Sequence, residues 1–103
     1  MKIVKVTYTT RAEYAAQNKA NISVVMSELQ KLANPGIRYN CCVGPDEKSF
    51  IHYAFFKSDE EQKILFDLPA FKAFTEQLKA SMPETPPKNE VLTLVGSSYE
   101  IFN

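Results

Sequence analysis

The sequence predicts an α+β domain in which strands and helices follow the order β-α-β-β-α-β. Two observations support this prediction: four segments show the apolar alternation of strands, and two show the three- and four-residue spacing of amphipathic helices. The chain has 103 residues, 45% hydrophobic and 23% charged, which fits a single domain over residues 1–103. The order is the ferredoxin-like plan, a four-stranded antiparallel sheet with both helices on one face.

The first strand and the first helix are predicted at the N-terminus. Lys2–Thr9 alternates between apolar and mixed residues, which is typical of a strand. Thr10 and Glu13 match a capping box, so a helix is predicted from about Arg11 to Ala33. Its apolar face holds Tyr14, Asn18, Ile22, Val25, Met26, Leu29 and Leu32. We expect Asn34-Pro35-Gly36 to end the helix, because Asn and Gly tolerate left-handed geometry and Pro cannot continue it.

A hairpin is predicted in the middle of the chain. Ile37–Val43 and Ser49–Phe56 read as strands, joined by the polar turn Gly44–Lys48. Ser49–Phe56 is apolar on both of its alternating faces. We therefore expect it beside Lys2–Thr9 in the centre of the sheet.

The C-terminal half begins with a second capping box at Ser58-Asp59-Glu60-Glu61. The helix should run to about Asp67, and Pro69 should break it and start a second helical piece. Met82–Asn89 contains three prolines and is predicted to be an extended linker. Glu90–Phe102 is predicted as the last strand.

Composition excludes several classes of function. Twelve basic residues balance twelve acidic ones, so no basic patch indicates nucleic acid as a partner. No apolar run has the length of a signal peptide or a membrane span, and the cytoplasm is the expected compartment. Cys41 and Cys42 are adjacent, cannot bridge each other, and have no zinc spacing. We interpret them as small core residues, with a redox or metal role as the alternative, and expect no metal and no cofactor.

A homodimer follows from the pattern of the central strand. The helices cover one face of the sheet, yet both faces of this strand are apolar: Ile51, Tyr53 and Phe55 lie on one, and Phe50, His52, Ala54 and Phe56 on the other. A large exposed apolar patch is unusual on a soluble monomer. We expect a second copy to cover this sheet face through a two-fold axis, with a monomer that exposes extra aromatic residues as the alternative.

The chain resembles the dimeric α+β barrel superfamily, in particular the antibiotic biosynthesis monooxygenase-like and stress-responsive barrel groups. The resemblance rests on Pro35-Gly36, on Phe50–Ser58 running into Asp59-Glu60-Glu61, and on Leu68–Phe74. It implies cofactor-independent oxygenase or haem-degrading chemistry, with ligands bound between sheet and helices. The positions that would serve haem degradation hold Leu65 and Thr75, and the chain has no tryptophan, so haem degradation is not expected.

Four residues are candidates for a site. His52 is the candidate catalytic base, because histidine titrates near neutrality. Tyr14, Asn18 and Phe66 are candidates for substrate binding. Tyr14 and Phe66 could line a cleft, and Asn18 interrupts the apolar face of the first helix, where a buried asparagine needs a partner that a ligand could supply. The alternative is packing in the core or at the dimer interface for His52, and packing in the core for Tyr14 and Phe66. For Asn18 it is a structural hydrogen bond or a helix that is locally exposed.

Two functions remain open from the sequence. The first is a homodimer that binds a small, largely apolar organic molecule between sheet and helices; if it is an enzyme, it is a cofactor-independent monooxygenase. The second is a non-catalytic dimeric interaction module whose cleft is filled by its own side chains. An open cavity with converging polar groups would distinguish the first from the second.

Overall fold

A four-stranded antiparallel sheet with helices on one face forms the protein, in a computed structural model that describes residues 1–103. The strands are β1 (Lys2–Thr9), β2 (Ile37–Val43), β3 (Ser49–Phe56) and β4 (Thr85–Leu92), in the order β2-β3-β1-β4. The helices are α1 (Ala15–Leu32), α2 (Asp59–Asp67) and α3 (Pro69–Ala80). The predicted ferredoxin-like order is confirmed, and β1 and β3 lie in its centre.

The strand register decides which side chains face the helices. His52 in β3 lies opposite Val6 in β1 and Cys41 in β2, and Phe50 lies opposite Tyr8. Because paired residues share a sheet face, these side chains all point toward the helices. The core is made of buried residues from this face and from the helices above it: Tyr8, Val25, Ile37, Phe50, Ala54, Phe56, Leu65, Phe74 and Leu78.

The capping box predicted at Thr10 is wrong. Thr10 is fully buried, and both its amide and its hydroxyl donate to the Lys48 carbonyl, at 2.9 and 3.5 Å. The chain then makes a 3-10 turn at Ala12–Tyr14, and α1 begins only at Ala15. Thr10 thus bonds to the β2–β3 hairpin, which contains Lys48, instead of capping the helix. A local sequence motif cannot predict this long-range contact.

The end of α1 lies where it was predicted, but the residue that terminates it is Ala33. Ala33 has φ 50°, in the left-handed region, and its amide donates to the Leu29 carbonyl. Gly36 has no positive φ; it is close to α2 instead. A β-carbon at Gly36 would lie 2.8 Å from Oε1 of Glu61, so the glycine allows this loop to approach the helix.

The second helical region is broken as predicted. Ser58 caps α2 by accepting a hydrogen bond from the Glu60 amide at 3.2 Å, and its hydroxyl donates to the Glu61 carboxylate. Leu68 is extended, and Pro69 is the first residue of α3. The proline tolerates this position because the first helical amide needs no partner.

The predicted position of the last strand is wrong. β4 spans Thr85–Leu92, so most of the expected linker is in fact strand, and residues 93–103 form an irregular tail. The pairing with β1 shifts between Thr7 and Thr9, where Pro86 and Pro87 are accommodated. An edge strand with an irregular register tolerates prolines, because their missing amides need not join the ladder.

The sheet face away from the helices is covered only in part. Ile3 is buried there, whereas Ile51, Tyr53 and Phe55 are half-buried. The tail is tied to this side by Arg38, which donates to the carbonyls of Ile101 and Asn103 at 3.0 and 3.3 Å. None of the helices combines the length and the apolarity that a membrane crossing requires.

Candidate functional site

A cavity of about 780 Å³ lies between the sheet and helices α2 and α3. Its floor is the helix-facing side of the central strands, and one wall is formed by Pro83 and by residues of β4. Most of its lining is apolar. The lining residues are Val4, Val6, Tyr8, Tyr39, His52, Ala54, Phe56, Gln62, Leu65, Phe66, Phe71, Lys72, Phe74, Thr75, Leu78, Lys79, Pro83, Pro86, Pro87 and Asn89.

His52 forms part of the cavity floor, between two tyrosine hydroxyls. Its Nε2 lies 2.8 Å from the Tyr8 hydroxyl, and its Nδ1 lies 2.7 Å from the Tyr39 hydroxyl. The imidazole is 2% exposed, and Phe74 of α3 packs against it with ring centroids 5.6 Å apart. β1, β2 and β3 each supply one member of this cluster, which the sheet register brings together.

Asn18 extends the cluster away from the cavity. It is fully buried in α1, and its Nδ2 donates to the Tyr8 hydroxyl at 2.9 Å. Its Oδ1 has no hydrogen-bond partner. Since Tyr8 accepts from Asn18, its own hydrogen is free to donate to Nε2 of His52, which satisfies the buried hydroxyl.

The direction of these hydrogen bonds assigns a role to Tyr39. If Nε2 of His52 accepts from Tyr8, the neutral imidazole carries its hydrogen on Nδ1 and donates it to Tyr39. The hydroxyl hydrogen of Tyr39 then has no partner within the chain. Because Tyr39 lines the cavity, it can donate this hydrogen to an oxygen atom of a bound molecule.

Burial keeps every member of the cluster neutral. Desolvation lowers the pKa of His52 to about 4, so the imidazole is uncharged at neutral pH. Desolvation likewise raises the pKa of the Tyr8 and Tyr39 phenols above their ordinary value of 10. The site is therefore an uncharged hydrogen-bonding chain at the base of an apolar space, suited to moving a proton rather than to holding an ion.

The two cysteines lie in different environments. Cys41 faces the helices, with its sulfur 3.3 Å from Nε2 of His52, and burial raises the pKa of its thiol to about 12. Cys42 points to the opposite side and is exposed, so the interpretation of both as core residues is wrong for Cys42. Nowhere do three or more histidine, cysteine, aspartate or glutamate side chains converge as a metal would require.

The structure brings together some of the candidate residues and leaves others apart. His52 and Asn18 belong to one hydrogen-bonded chain, joined through Tyr8. Phe66 lines the cavity, where it stacks on Phe71, and is 49% exposed. Tyr14 does not line the cavity; its hydroxyl accepts a hydrogen bond from Asn21 at 3.4 Å.

Tyr8 and Tyr39 are site residues that the sequence reasoning missed. Each lies at an alternating apolar position of its strand, and a tyrosine at such a position is a signal for a buried hydroxyl that needs a partner. Only the strand register could have joined them to His52. Leu65 and Thr75 also line the cavity.

Comparison with known proteins shows a likeness of fold. No protein-family model matches the chain, and no curated protein matches it. A proposed antibiotic biosynthesis monooxygenase from Bacteroides thetaiotaomicron superposes with a TM-score of 0.81 at 11% identity, over 96% of this chain and 93% of that one. One from Deinococcus radiodurans has a TM-score of 0.74 at 17% identity, with both chains covered completely.

A third solved structure is SnoaB, a cofactor-independent oxygenase from Streptomyces nogalater. It superposes with a TM-score of 0.69 at 15% identity, over 96% of this chain and 98% of that one. The chain thus has the ferredoxin-like fold of antibiotic biosynthesis monooxygenase-like proteins, and the predicted resemblance is confirmed as a resemblance of fold. At these identities the fold carries no activity with it.

Proposed function

We propose that this protein binds a small, largely apolar organic molecule in the cavity and oxygenates it without a cofactor. The observation that carries the proposal is an apolar cavity whose floor holds a neutral histidine between two tyrosine hydroxyls. Pockets that bind organic ligands combine apolar walls with a few converging polar groups in the same way. The cofactor-independent oxygenase among the structures with this fold is consistent with the chemistry.

The proposed reaction starts from a methylene group whose carbanion is conjugated with a carbonyl, either directly or through an aromatic ring. Tyr8 takes a proton from this carbon while it passes its own hydrogen to Nε2 of His52, and Tyr39 donates to the oxygen on which negative charge develops. The carbanion reduces dioxygen. One oxygen atom becomes a carbonyl at the methylene carbon, and the other leaves as water with both methylene hydrogens.

The low pKa of His52 sets a condition on this chemistry. Burial disfavours the imidazolium that forms when Nε2 takes a proton. A substrate anion formed next to His52 favours the imidazolium and so raises the pKa of His52. The two opposite charges attract each other strongly in an apolar cavity. Proton transfer is therefore coupled to the presence of the substrate. Asn18 holds Tyr8 in position for the transfer by donating to its hydroxyl.

We propose that the protein acts as a homodimer in the cytoplasm, paired through the sheet face opposite the helices. Ile51, Tyr53 and Phe55 lie half-buried on that face, where only part of the surface is covered within one chain. A second copy would remove these side chains from water, at about 25 cal/mol for each Å² of apolar surface. The cavity lies on the other side of the sheet and stays open in such a dimer.

The alternative is a dimeric interaction module without catalysis. It requires a cleft that the protein's own side chains fill. The volume of about 780 Å³ and the polar cluster at its floor favour a ligand instead.

Oxygen uptake with anthrone tests the proposal. Anthrone is a tricyclic ketone with an acidic methylene group, and its oxygenation gives anthraquinone and water. We expect the wild-type protein to accelerate uptake above the buffer rate, and His52→Gln and Tyr8→Phe to lower the rate at least tenfold, as loss of general acid–base catalysis does. Tyr99→Phe is the control, since Tyr99 is exposed in the tail. Equal rates for wild type and His52→Gln would refute the catalytic role.

A further inference from the structure

The charged residues that line the cavity are all positive. Lys72 and Lys79 of α3 belong to its lining, whereas no aspartate or glutamate does. Both lysines are exposed, so they lie where the cavity meets solvent. Lys72, Thr75 and Lys79 follow one another at the three- and four-residue spacing of one helix face. At 1.5 Å per residue, the two lysines are about 10 Å apart along the helix axis.

Neither lysine is paired within the chain. The ion pairs of the structure lie elsewhere, and each involves another lysine: Lys19 with Glu47, Lys31 with Glu28, and Lys48 with Glu84. Glu76, one turn from each of the two lysines on α3, makes no ion pair with either. Two uncompensated positive charges therefore stand at the edge of an apolar cavity, where low-dielectric walls strengthen their field.

We infer that the molecule bound in this cavity is an apolar anion, an aromatic or aliphatic body that carries a carboxylate or sulfonate. Its body lies on the apolar walls, and its acid group lies at the rim between Lys72 and Lys79. The floor offers no counter-charge to a permanently ionised acid group, because its polar groups are neutral in the resting protein and its other residues are apolar. This inference rests on the proposed ligand binding and adds the chemical class of the ligand.

A matched pair of fluorescent probes tests the inference. 1-Anilinonaphthalene-8-sulfonate and N-phenyl-1-naphthylamine share one aromatic body, and only the first carries a negative charge. Both fluoresce more strongly in apolar sites, so titration gives a Kd for each. The measurements compare the wild type with a double glutamine variant that carries both Lys72→Gln and Lys79→Gln. The control is Lys63→Gln, which removes an exposed lysine of α2 that does not line the cavity.

A variant that blocks the cavity mouth distinguishes probe binding in the cavity from binding at other surfaces. Thr75→Trp places a large side chain at the mouth on an exposed helix position, where folding should tolerate it. Probe binding that Thr75→Trp removes is cavity binding, and binding that it leaves belongs to other apolar surface. The unfolding midpoint of each variant confirms that it is folded.

The expected result is that the double glutamine variant binds the sulfonate probe about fivefold more weakly, as the loss of two partly exposed charge contacts implies. The neutral probe and the Lys63→Gln control should change less than twofold. An unchanged affinity for the sulfonate probe, or equal losses for both probes, would overturn the inference while leaving cavity binding intact. If neither probe binds wild type in a manner that Thr75→Trp blocks, the proposed ligand binding fails as well.

Discussion

His52 is uncharged because the fold surrounds it with aromatic rings and two hydroxyl groups instead of acids. Tyr8, Tyr39 and Cys41 contact its ring nitrogens, and each is neutral at pH 7, because its ordinary pKa lies above 7 and burial raises that pKa further. A positive charge there would have no counter-ion and almost no water. The folded protein therefore stabilises the neutral imidazole, which makes its stability depend on pH.

Stability should fall as the pH is lowered from 6.5 to 4. The unfolded chain takes up a proton on His52 near its ordinary pKa of 6.5, whereas the folded chain does so only near 4. The stabilisation is complete above pH 6.5, and about 3 kcal/mol of the unfolding free energy is lost by pH 4. Urea unfolding at pH 7, 6 and 5 measures the slope.

His52→Gln is the control for this dependence, because it removes the titrating group and keeps a side chain that can hydrogen-bond. Its stability should vary much less over the same range. Asp46 and Glu61 have pKa values lowered by hydrogen bonds to Ser49 and Ser58, so they act at lower pH and equally in both proteins. Parallel slopes for the two proteins between pH 7 and 5 would contradict the explanation.

At this scale the sequence identified residues but not their arrangement. His52 is a candidate because histidine titrates near neutrality, and Asn18 because it interrupts an apolar helix face. The structure joins both to Tyr8. That contact depends on the register of β1 against β3, which no local pattern specifies. Whether these residues act on a ligand stays a prediction.

Among the secondary-structure elements, α1 ends at an alanine in a left-handed conformation, and a substitution at this residue tests its strain. Ala33 adopts φ 50°, a conformation that glycine takes without strain and alanine does not. We expect Ala33→Gly to raise the unfolding free energy by about 0.5–1 kcal/mol. Chemical denaturation of the purified variant gives the value.

Ala20→Gly provides the matched comparison in the same helix. Ala20 is exposed inside α1, so the same substitution should lower stability by about 1 kcal/mol through backbone entropy. Opposite signs for the two variants are the expected result. A loss of stability in both would show that the left-handed position carries no strain.

The strands and helices were predictable to different degrees. The break at Pro69 and the cap at Ser58 follow from local chemistry, and both are confirmed. β4 was misplaced because Pro86 and Pro87 resemble a linker, whereas the edge of a sheet accepts them at a register shift. Edge position is a property of the assembled sheet, and the sequence of β4 alone does not encode it.

For the whole molecule, the partly covered sheet face makes the oligomeric state the decisive measurement. We expect sedimentation of the wild-type chain at micromolar concentration to give twice the 11.7 kDa of one chain. Ile51→Lys should shift the protein toward the monomer, because it places a charge in the centre of the proposed interface. Val24→Lys, on the exposed side of α1, should leave the dimer intact. If the wild-type chain sediments as a monomer, the proposed homodimer is wrong.

The chain contains a single histidine, and that histidine is part of the cavity floor. The imidazole region of a proton NMR spectrum therefore holds one set of signals, without any isotope labelling scheme or engineered probe. Provided that no polyhistidine tag is left on the protein, those signals follow occupancy of the cavity during a titration with any candidate compound.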